Sequence, residues 1–126
     1  MNNPMKMMTV NDSIELQFMN SQHYDVIGSA KNQKEAIDLF TELQPDLVTM
    51  DFSDVDMIEK GNESLCCIDK ILAKKPDTKI LVLCSLKNQS IGIKALMHGA
   101  HSFLQKPFNQ EQLSRALKTT SAKLVL

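Results

Sequence analysis

Three charged side chains follow three separate apolar segments and could act together on one phosphoryl group. Asp12 follows the segment 6–10, Asp51 follows the run 47–50, and Lys106 follows the segment 102–105. Two carboxylates held close together repel each other unless a cation joins them, so Asp12 and Asp51 predict a site for a hard ion such as Mg²⁺. With Lys106 beside the bound anion, this set could stabilise a transferring phosphoryl group, with Asp51 as the nucleophile.

The apolar pattern predicts alternating strands and helices that would hold these residues at one edge of a sheet. The runs 47–50 and 80–84 are continuous rather than alternating, which is typical of parallel strands covered on both faces. Strands are predicted at 6–10, 24–28, 46–50, 79–84 and 102–105, and helices at 13–21, 33–43, 64–74, 90–98 and 110–121. Right-handed helical crossovers between such strands predict a three-layer α/β fold, whose ligands bind beyond the carboxyl ends of the strands.

Local signals agree with this layout. Asn32 is a candidate N-cap for the second helix, with Glu35 as its capping-box partner, and Pro45 and Pro76 stand just before new strands. On the third helix the adjacent Cys66 and Cys67 cannot both face inward, so one of the two should be exposed.

Length and composition limit the class of protein. A chain of 126 residues with 43% apolar and 23% charged residues predicts a single globular domain over 1–126. The net charge of -1 provides no field that would attract phosphate backbones, so we expect no nucleic-acid partner. We expect no membrane insertion and a cytoplasmic protein, because no apolar run approaches the length of a membrane helix or of a secretion signal.

Three sequence motifs together resemble the receiver domain of bacterial two-component response regulators. They are Val10-Asn11-Asp12-Ser13, Gln44-Pro45-Asp46-Leu47-Val48-Thr49-Met50-Asp51 and Gly99-Ala100-His101-Ser102-Phe103-Leu104-Gln105-Lys106-Pro107-Phe108. The resemblance covers nearly all of the chain and is strongest to the single-domain regulators of chemotaxis. It implies a doubly wound, flavodoxin-like sheet of five parallel strands in the order 2-1-3-4-5.

The same resemblance implies roles for individual residues. Asp51 matches the phosphorylated aspartate, Lys106 the lysine that contacts the phosphoryl group, and Phe103 the aromatic switch residue. Mg²⁺ would be held by Asp51, by Asn11 and Asp12 at the positions of the acidic pair, and by the backbone carbonyl of Ser53. A sensor histidine kinase would donate the phosphoryl group. A target protein would bind the face formed by the predicted fourth helix, fifth strand and fifth helix, which makes the chain a signalling protein rather than an enzyme.

The chain departs from the family pattern at several positions. Ungapped spacing from Pro76 and from Lys106 favours Cys84 over Ser85 at the position of the switch hydroxyl, and a thiol is the weaker donor. Asn11 replaces the first acid of the pair, which should weaken Mg²⁺ binding without abolishing it. The segment from Asp12 to the second strand is short, and an ungapped alignment would put Lys6 and Met7 at the acidic positions instead. The loop 52–62 is long and carries further acids, namely Asp54, Asp56 and Glu59.

Two functions of different class remain open. The leading hypothesis is a stand-alone receiver that accepts a phosphoryl group on Asp51 and signals, in chemotaxis or another pathway, by phosphorylation-dependent protein binding. The alternative is a degenerate receiver that is never phosphorylated and acts as a constitutive interaction module, which Asn11, Cys84 and the long loop favour. A small phosphohydrolase or flavodoxin-like enzyme is less favoured, because the sequence offers no general base or glycine-rich phosphate loop.

Overall fold

Five parallel strands form one sheet in the computed structural model, which describes residues 4–11, 23–52 and 61–121. The strands are β1 (Met5–Val10), β2 (Tyr24–Ala30), β3 (Leu47–Asp51), β4 (Lys79–Cys84) and β5 (Ser102–Gln105). Their order across the sheet is β2-β1-β3-β4-β5, and neighbouring strands pair in parallel. The predicted α/β class and the strand order 2-1-3-4-5 are confirmed.

The described residues contain four α-helices. They are α1 (Gln33–Leu43), α2 (Gly61–Lys74), α3 (Gln89–Met97) and α4 (Gln110–Ser121), with a short 3₁₀ helix at Leu86–Asn88 before α3. The helix predicted at 13–21 lies outside the described residues, so the predicted fourth and fifth helices correspond to α3 and α4. No helix among the described ranges is both long enough and apolar enough to cross a membrane.

Element boundaries differ from the predictions by up to three residues. The largest difference is at α2, which begins at Gly61 rather than at residue 64. The segment 52–62, predicted to be a loop, therefore contains the first two residues of this helix. Gly61 and Asn62 have low helix propensity, so local pattern placed them in the loop, and tertiary context overrides such weak preferences.

Two apolar clusters on opposite faces of the sheet produce the three layers. The larger cluster joins β-strand residues such as Val48 and Val82 to Phe40 of α1, Ile68 of α2 and Ile91 of α3. The smaller cluster joins their strand neighbours Leu47, Leu81 and Leu83 to Leu113 and Leu117 of α4. Successive strand residues point to opposite faces, so helices α1 to α3 cover one face and α4 covers the other.

Local structure confirms two of the smaller predictions. The Oδ1 atom of Asn32 accepts a hydrogen bond of 2.9 Å from the N–H of Glu35, which makes Asn32 the N-cap of α1. On α2, Cys66 is exposed and Cys67 is buried, as the helical geometry required. Burial raises the pKa of the Cys67 thiol to about 11, so this cysteine remains a neutral, apolar part of the core.

Candidate functional site

Asp51 and Lys106 meet at the carboxyl edge of the sheet. Asp51 is the last residue of β3, which lies between β1 and β4, and Lys106 directly follows β5. The backbone N–H of Lys106 donates to the carbonyl of Cys84 at 2.8 Å, which continues the pairing of β4 with β5. Its Nζ lies 2.7 Å from Oδ2 of Asp51, although the two residues are 55 positions apart in sequence.

The Asp51–Lys106 pair is partly buried, and its environment would let the Lys106 ammonium exchange the Asp51 carboxylate for another anion. The Asp51 side chain is 10% exposed and that of Lys106 is 29% exposed. A charge-assisted hydrogen bond between partly buried partners is stronger than one at the open surface. Because the Lys106 side chain is partly exposed rather than enclosed in the core, its ammonium has room to move from the carboxylate to another anion.

Asn11 also lies against Asp51. It follows β1 directly, in the left-handed region with φ of 56°, which asparagine tolerates better than most residues. Its Nδ2 donates to the backbone carbonyl of Asp51 at 3.3 Å. The ungapped alignment is not supported, because Lys6 and Met7 lie inside β1, and Met7 is buried opposite Leu47 at the other end of β3.

Cys84 rather than Ser85 ends β4 at this edge. Its Sγ is buried and donates to the carbonyl of Leu104 at 3.9 Å. Burial raises the pKa of the Cys84 thiol, and the negative charge of Asp51 raises it further. The thiol is therefore protonated at neutral pH and serves as a weak hydrogen-bond donor next to the acid. Ser85 follows the strand and is partly exposed.

Phe103 lies in β5, two strands across the sheet from Asp51 at the end of β3. Its backbone pairs with Val82 of β4, and its partly buried ring packs against the larger apolar cluster. Leu104, whose carbonyl accepts the bond from Cys84, is the next residue in β5. The backbone of this strand thus joins the ring of Phe103 to the edge of the sheet where Asp51 and Lys106 meet.

The oxygen atoms at this edge fit Mg²⁺. No three His, Cys, Asp or Glu side chains gather into a metal-binding cluster within residues 4–11, 23–52 and 61–121. Mg²⁺ nevertheless needs only one or two carboxylates, because it keeps several waters and binds substrate phosphate. The carboxylate of Asp51 and the side-chain oxygen of Asn11 would provide two ligand groups. The other two predicted ligands, Asp12 and the carbonyl of Ser53, lie outside the described residues.

Sequence reasoning missed several side-chain contacts elsewhere in the domain. His98 and His101, whose spacing can indicate a metal site, take separate partners: His98 pairs with Asp69 at 2.8 Å, and His101 accepts from the N–H of Ile80. Sequence reasoning also missed Gly92 as a neighbour of Phe103: a β-carbon placed on Gly92 would lie 2.7 Å from Cδ2 of that ring. A glycine inside a predicted helix was the available signal for such a contact.

Comparison with known proteins finds similar sequences and similar structures. The family model described as "Response regulator receiver domain" matches residues 9–118. The chemotaxis protein CheY of Thermotoga maritima is 35% identical over 98 residues, which are 78% of each chain. The crystal structure of a response regulator from Thermotoga maritima is 29% identical with a TM-score of 0.75, over 94% of this chain and 99% of that one.

A chain of the CheX–CheY–BeF3–Mg²⁺ complex from Borrelia burgdorferi has the same fold. Its TM-score is also 0.75, at 19% identity, over 95% of this chain and 91% of that chain.

Proposed function

This chain belongs to the receiver-domain family of response regulators, and we propose that it acts as a receiver that takes a phosphoryl group on Asp51 from a sensor histidine kinase. It then signals by binding a target protein. The observation that carries the proposal is the 2.7 Å contact between Lys106 Nζ and Asp51 Oδ2 at the carboxyl edge of the sheet. Phosphoryl transfer requires a nucleophile and a nearby positive charge, and the Asp51 carboxylate and the Lys106 ammonium would provide them.

The transfer step follows from the chemistry of these two side chains. A carboxylate oxygen of Asp51 attacks the phosphorus of a phosphohistidine on the kinase. A P–O bond forms as the P–N bond breaks, and the electron pair of the broken bond returns to the kinase imidazole, which takes up a proton. Lys106 neutralises negative charge on the phosphoryl oxygens during the transfer.

Mg²⁺ would be held by Asp51, the side chain of Asn11, Asp12 and the carbonyl of Ser53. When bound, the ion supplies positive charge to the oxygens of the phosphoryl group. Asn11 contributes a neutral ligand where an acid would contribute a negative one, so we expect weaker Mg²⁺ affinity than an acidic pair would provide. The amide still lies beside Asp51, which supports retention of the site.

The phosphoryl group acts on the rest of the domain by shifting a population. Once attached to Asp51 it competes for the Lys106 ammonium, and it offers the Cys84 thiol a charged acceptor in place of the Leu104 carbonyl. Leu104 adjoins Phe103, so this exchange biases the arrangement of β5 and of the switch ring. A difference of a few kcal/mol between two arrangements is sufficient for such a switch.

We place target binding on the face formed by α3, β5 and α4. Exposed apolar side chains gather on one side of α3, where Ile93 is 57%, Leu96 40% and Met97 81% exposed, with spacings of three and four residues from Ile93. Leu86, in the 3₁₀ helix before α3, is 65% exposed. Exposed apolar groups in such a row indicate an interaction surface. From Thr78 to Gln110 the chain carries lysines but no Asp or Glu, which favours a partner with acidic side chains. The similarity to a chemotaxis protein supports chemotaxis as the pathway. A cytoplasmic location is part of the same proposal.

The proposal is tested with the purified protein, Mg²⁺ and two phosphoryl donors or analogues. Acetyl phosphate should add about 80 Da to the wild type, the mass of one phosphoryl group. Beryllofluoride should shift the NMR signals of Lys106, Cys84 and Phe103. Asp51→Asn should show neither effect.

Asp46→Asn is the matched control. Asp46 pairs with Lys75 at 2.8 Å near the opposite end of β3, so its replacement should leave both effects intact. A wild-type protein without adduct or spectral change would overturn the proposal in favour of a constitutive interaction module. An adduct of equal yield in Asp51→Asn would assign the acceptor to another residue.

A further inference from the structure

Gly92 lies on the buried side of α3, facing the sheet. Ile91, Gly92 and Ala95 form the buried side of this nine-residue helix, whereas Ile93 and Met97 are exposed. Glycine destabilises a helix interior relative to alanine, and Gly92 is not in the left-handed conformation that would require glycine. Backbone conformation therefore does not explain glycine at residue 92, and we look for the explanation in what surrounds the residue.

That contact is with the switch ring. A β-carbon placed on Gly92 would lie 2.7 Å from Cδ2 and 2.8 Å from Cγ of Phe103. Both distances are shorter than carbon atoms in van der Waals contact allow. Cγ is only two bonds from the backbone of β5, so it cannot give way as the end of a flexible chain would. Either the ring must rotate, or α3 and β5 must separate.

Ala95 shows that the helix does not need glycine simply to approach the sheet. It lies one turn after Gly92, is fully buried, and carries its methyl group into the larger apolar cluster. A Cβ is therefore accommodated elsewhere on the buried side of α3. The missing Cβ at residue 92 is specific to the place that Phe103 occupies.

We propose that Gly92 is a positioning residue for Phe103: by lacking a Cβ, it lets the ring pack against α3 and so couples the ring position to the placement of that helix. The regulatory consequence rests on the proposed function, in which Phe103 is the switch residue. Phe103 is only partly buried, so a ring displaced from Gly92 has a path toward solvent. Movement of α3 against the ring would in turn displace Ile93 and Met97, which belong to the proposed target surface.

A double-mutant comparison tests the contact without any phosphoryl donor. Gly92→Ala, Phe103→Ala and the double variant are unfolded in urea beside the wild type. We expect Gly92→Ala to lower the urea midpoint in the wild-type background, because the new methyl group meets the ring. In the Phe103→Ala background the same substitution should raise the midpoint, because only the gain in helix propensity remains.

Lys94→Ala is the matched control, since Lys94 is exposed on the same helix. Its effect on the midpoint should be the same in both backgrounds. An effect of Gly92→Ala that has equal sign and size with and without the Phe103 ring would overturn the proposal.

NMR of the phenylalanine rings separates positioning from a merely structural role. The Phe103 signals, identified by their loss in Phe103→Ala, should shift in Gly92→Ala and stay in place in Lys94→Ala. With Mg²⁺ present, the half-saturating beryllofluoride concentration should change about threefold or more in Gly92→Ala alone. Unmoved ring signals would also overturn the proposal. A wild-type protein whose NMR signals do not change with beryllofluoride would overturn the proposed function. The urea comparison and the ring signals would still decide the role of Gly92.

Discussion

At the scale of single residues, the site combines an intact charged pair with two unusual neighbours. Asp51 and Lys106 form the 2.7 Å contact that the proposed transfer needs. Asn11 and Cys84 lie beside them, each a weaker version of the group that the family pattern places there. Under the proposed function, we expect Asn11 and Cys84 to weaken Mg²⁺ binding or coupling without removing the acceptor oxygen of Asp51. They are therefore compatible with a receiver that responds to phosphorylation with a smaller shift in population.

Cys84 provides the most direct test of that reduced coupling. Cys84→Thr would place a hydroxyl at the end of β4, and a hydrogen bond to a charged group is stronger from a hydroxyl than from a thiol. We expect the half-saturating concentration of Mg²⁺-beryllofluoride to fall by about three- to tenfold, with a larger shift of the Phe103 signals in NMR titrations.

Cys84→Val is the control, because valine has a shape similar to threonine but no donor. It should bind beryllofluoride no better than the wild type. Equal responses from the threonine and valine variants would mean that side-chain volume, rather than a donor at residue 84, sets the coupling.

At the scale of secondary structure elements, the connection between α3 and β5 is held by His101. Its backbone N–H donates to the carbonyl of Ile80 at 2.9 Å, and its Nδ1 accepts from the N–H of Ile80 at 3.2 Å. Burial lowers the pKa of His101 below its usual 6.5, and the nearby Lys79 lowers it further. Protonation of Nδ1 would remove the acceptor for Ile80, so the folded state favours the neutral ring.

The pH dependence of stability follows from that shift. The unfolded chain takes up a proton at His101 as pH falls through about 6.5, while the folded chain does so only at lower pH. The contribution of His101 is thus fully present above pH 6.5 and declines below it. We expect His101→Asn, whose Oδ1 can also accept from Ile80, to lose less stability than the wild type between pH 7 and pH 5. Urea unfolding at both pH values provides the measurement, and equal losses in the two proteins would contradict the assignment.

At the scale of the whole molecule, buried apolar side chains stabilise the core, whereas the exposed ones on α3 belong to the proposed target-binding surface. Phe40 is fully buried in the larger cluster, whereas Met97 is 81% exposed on α3. Phe40→Ala should lower the free energy of unfolding by about 3–5 kcal/mol, because it leaves a cavity between α1 and the sheet. Met97→Ala should change it by less than about 0.5 kcal/mol.

Chemical denaturation monitored by circular dichroism measures both changes. A large loss for Met97→Ala would show that this side chain stabilises the domain itself. Met97 would then no longer be assigned to the proposed target-binding surface.

Much of the fold and part of the site could be predicted from local pattern. The continuous apolar runs predicted β3 and β4, and the helical spacing of Ala36 and Phe40 predicted α1, because both patterns can be seen in the local sequence alone. The rule that parallel strands share a carboxyl edge then places Asp51 and Lys106 together without any knowledge of their distance.

Only the tertiary structure decided the contacts between side chains that are distant in sequence. It brought the amide of Asn11 to the carbonyl of Asp51, directed the Cys84 thiol to Leu104, and left no room between Gly92 and the Phe103 ring. Such contacts depend on strand register, on the separation between helix and sheet, and on side-chain direction. These quantities result from the packing of the entire core, whereas periodicity describes one element at a time.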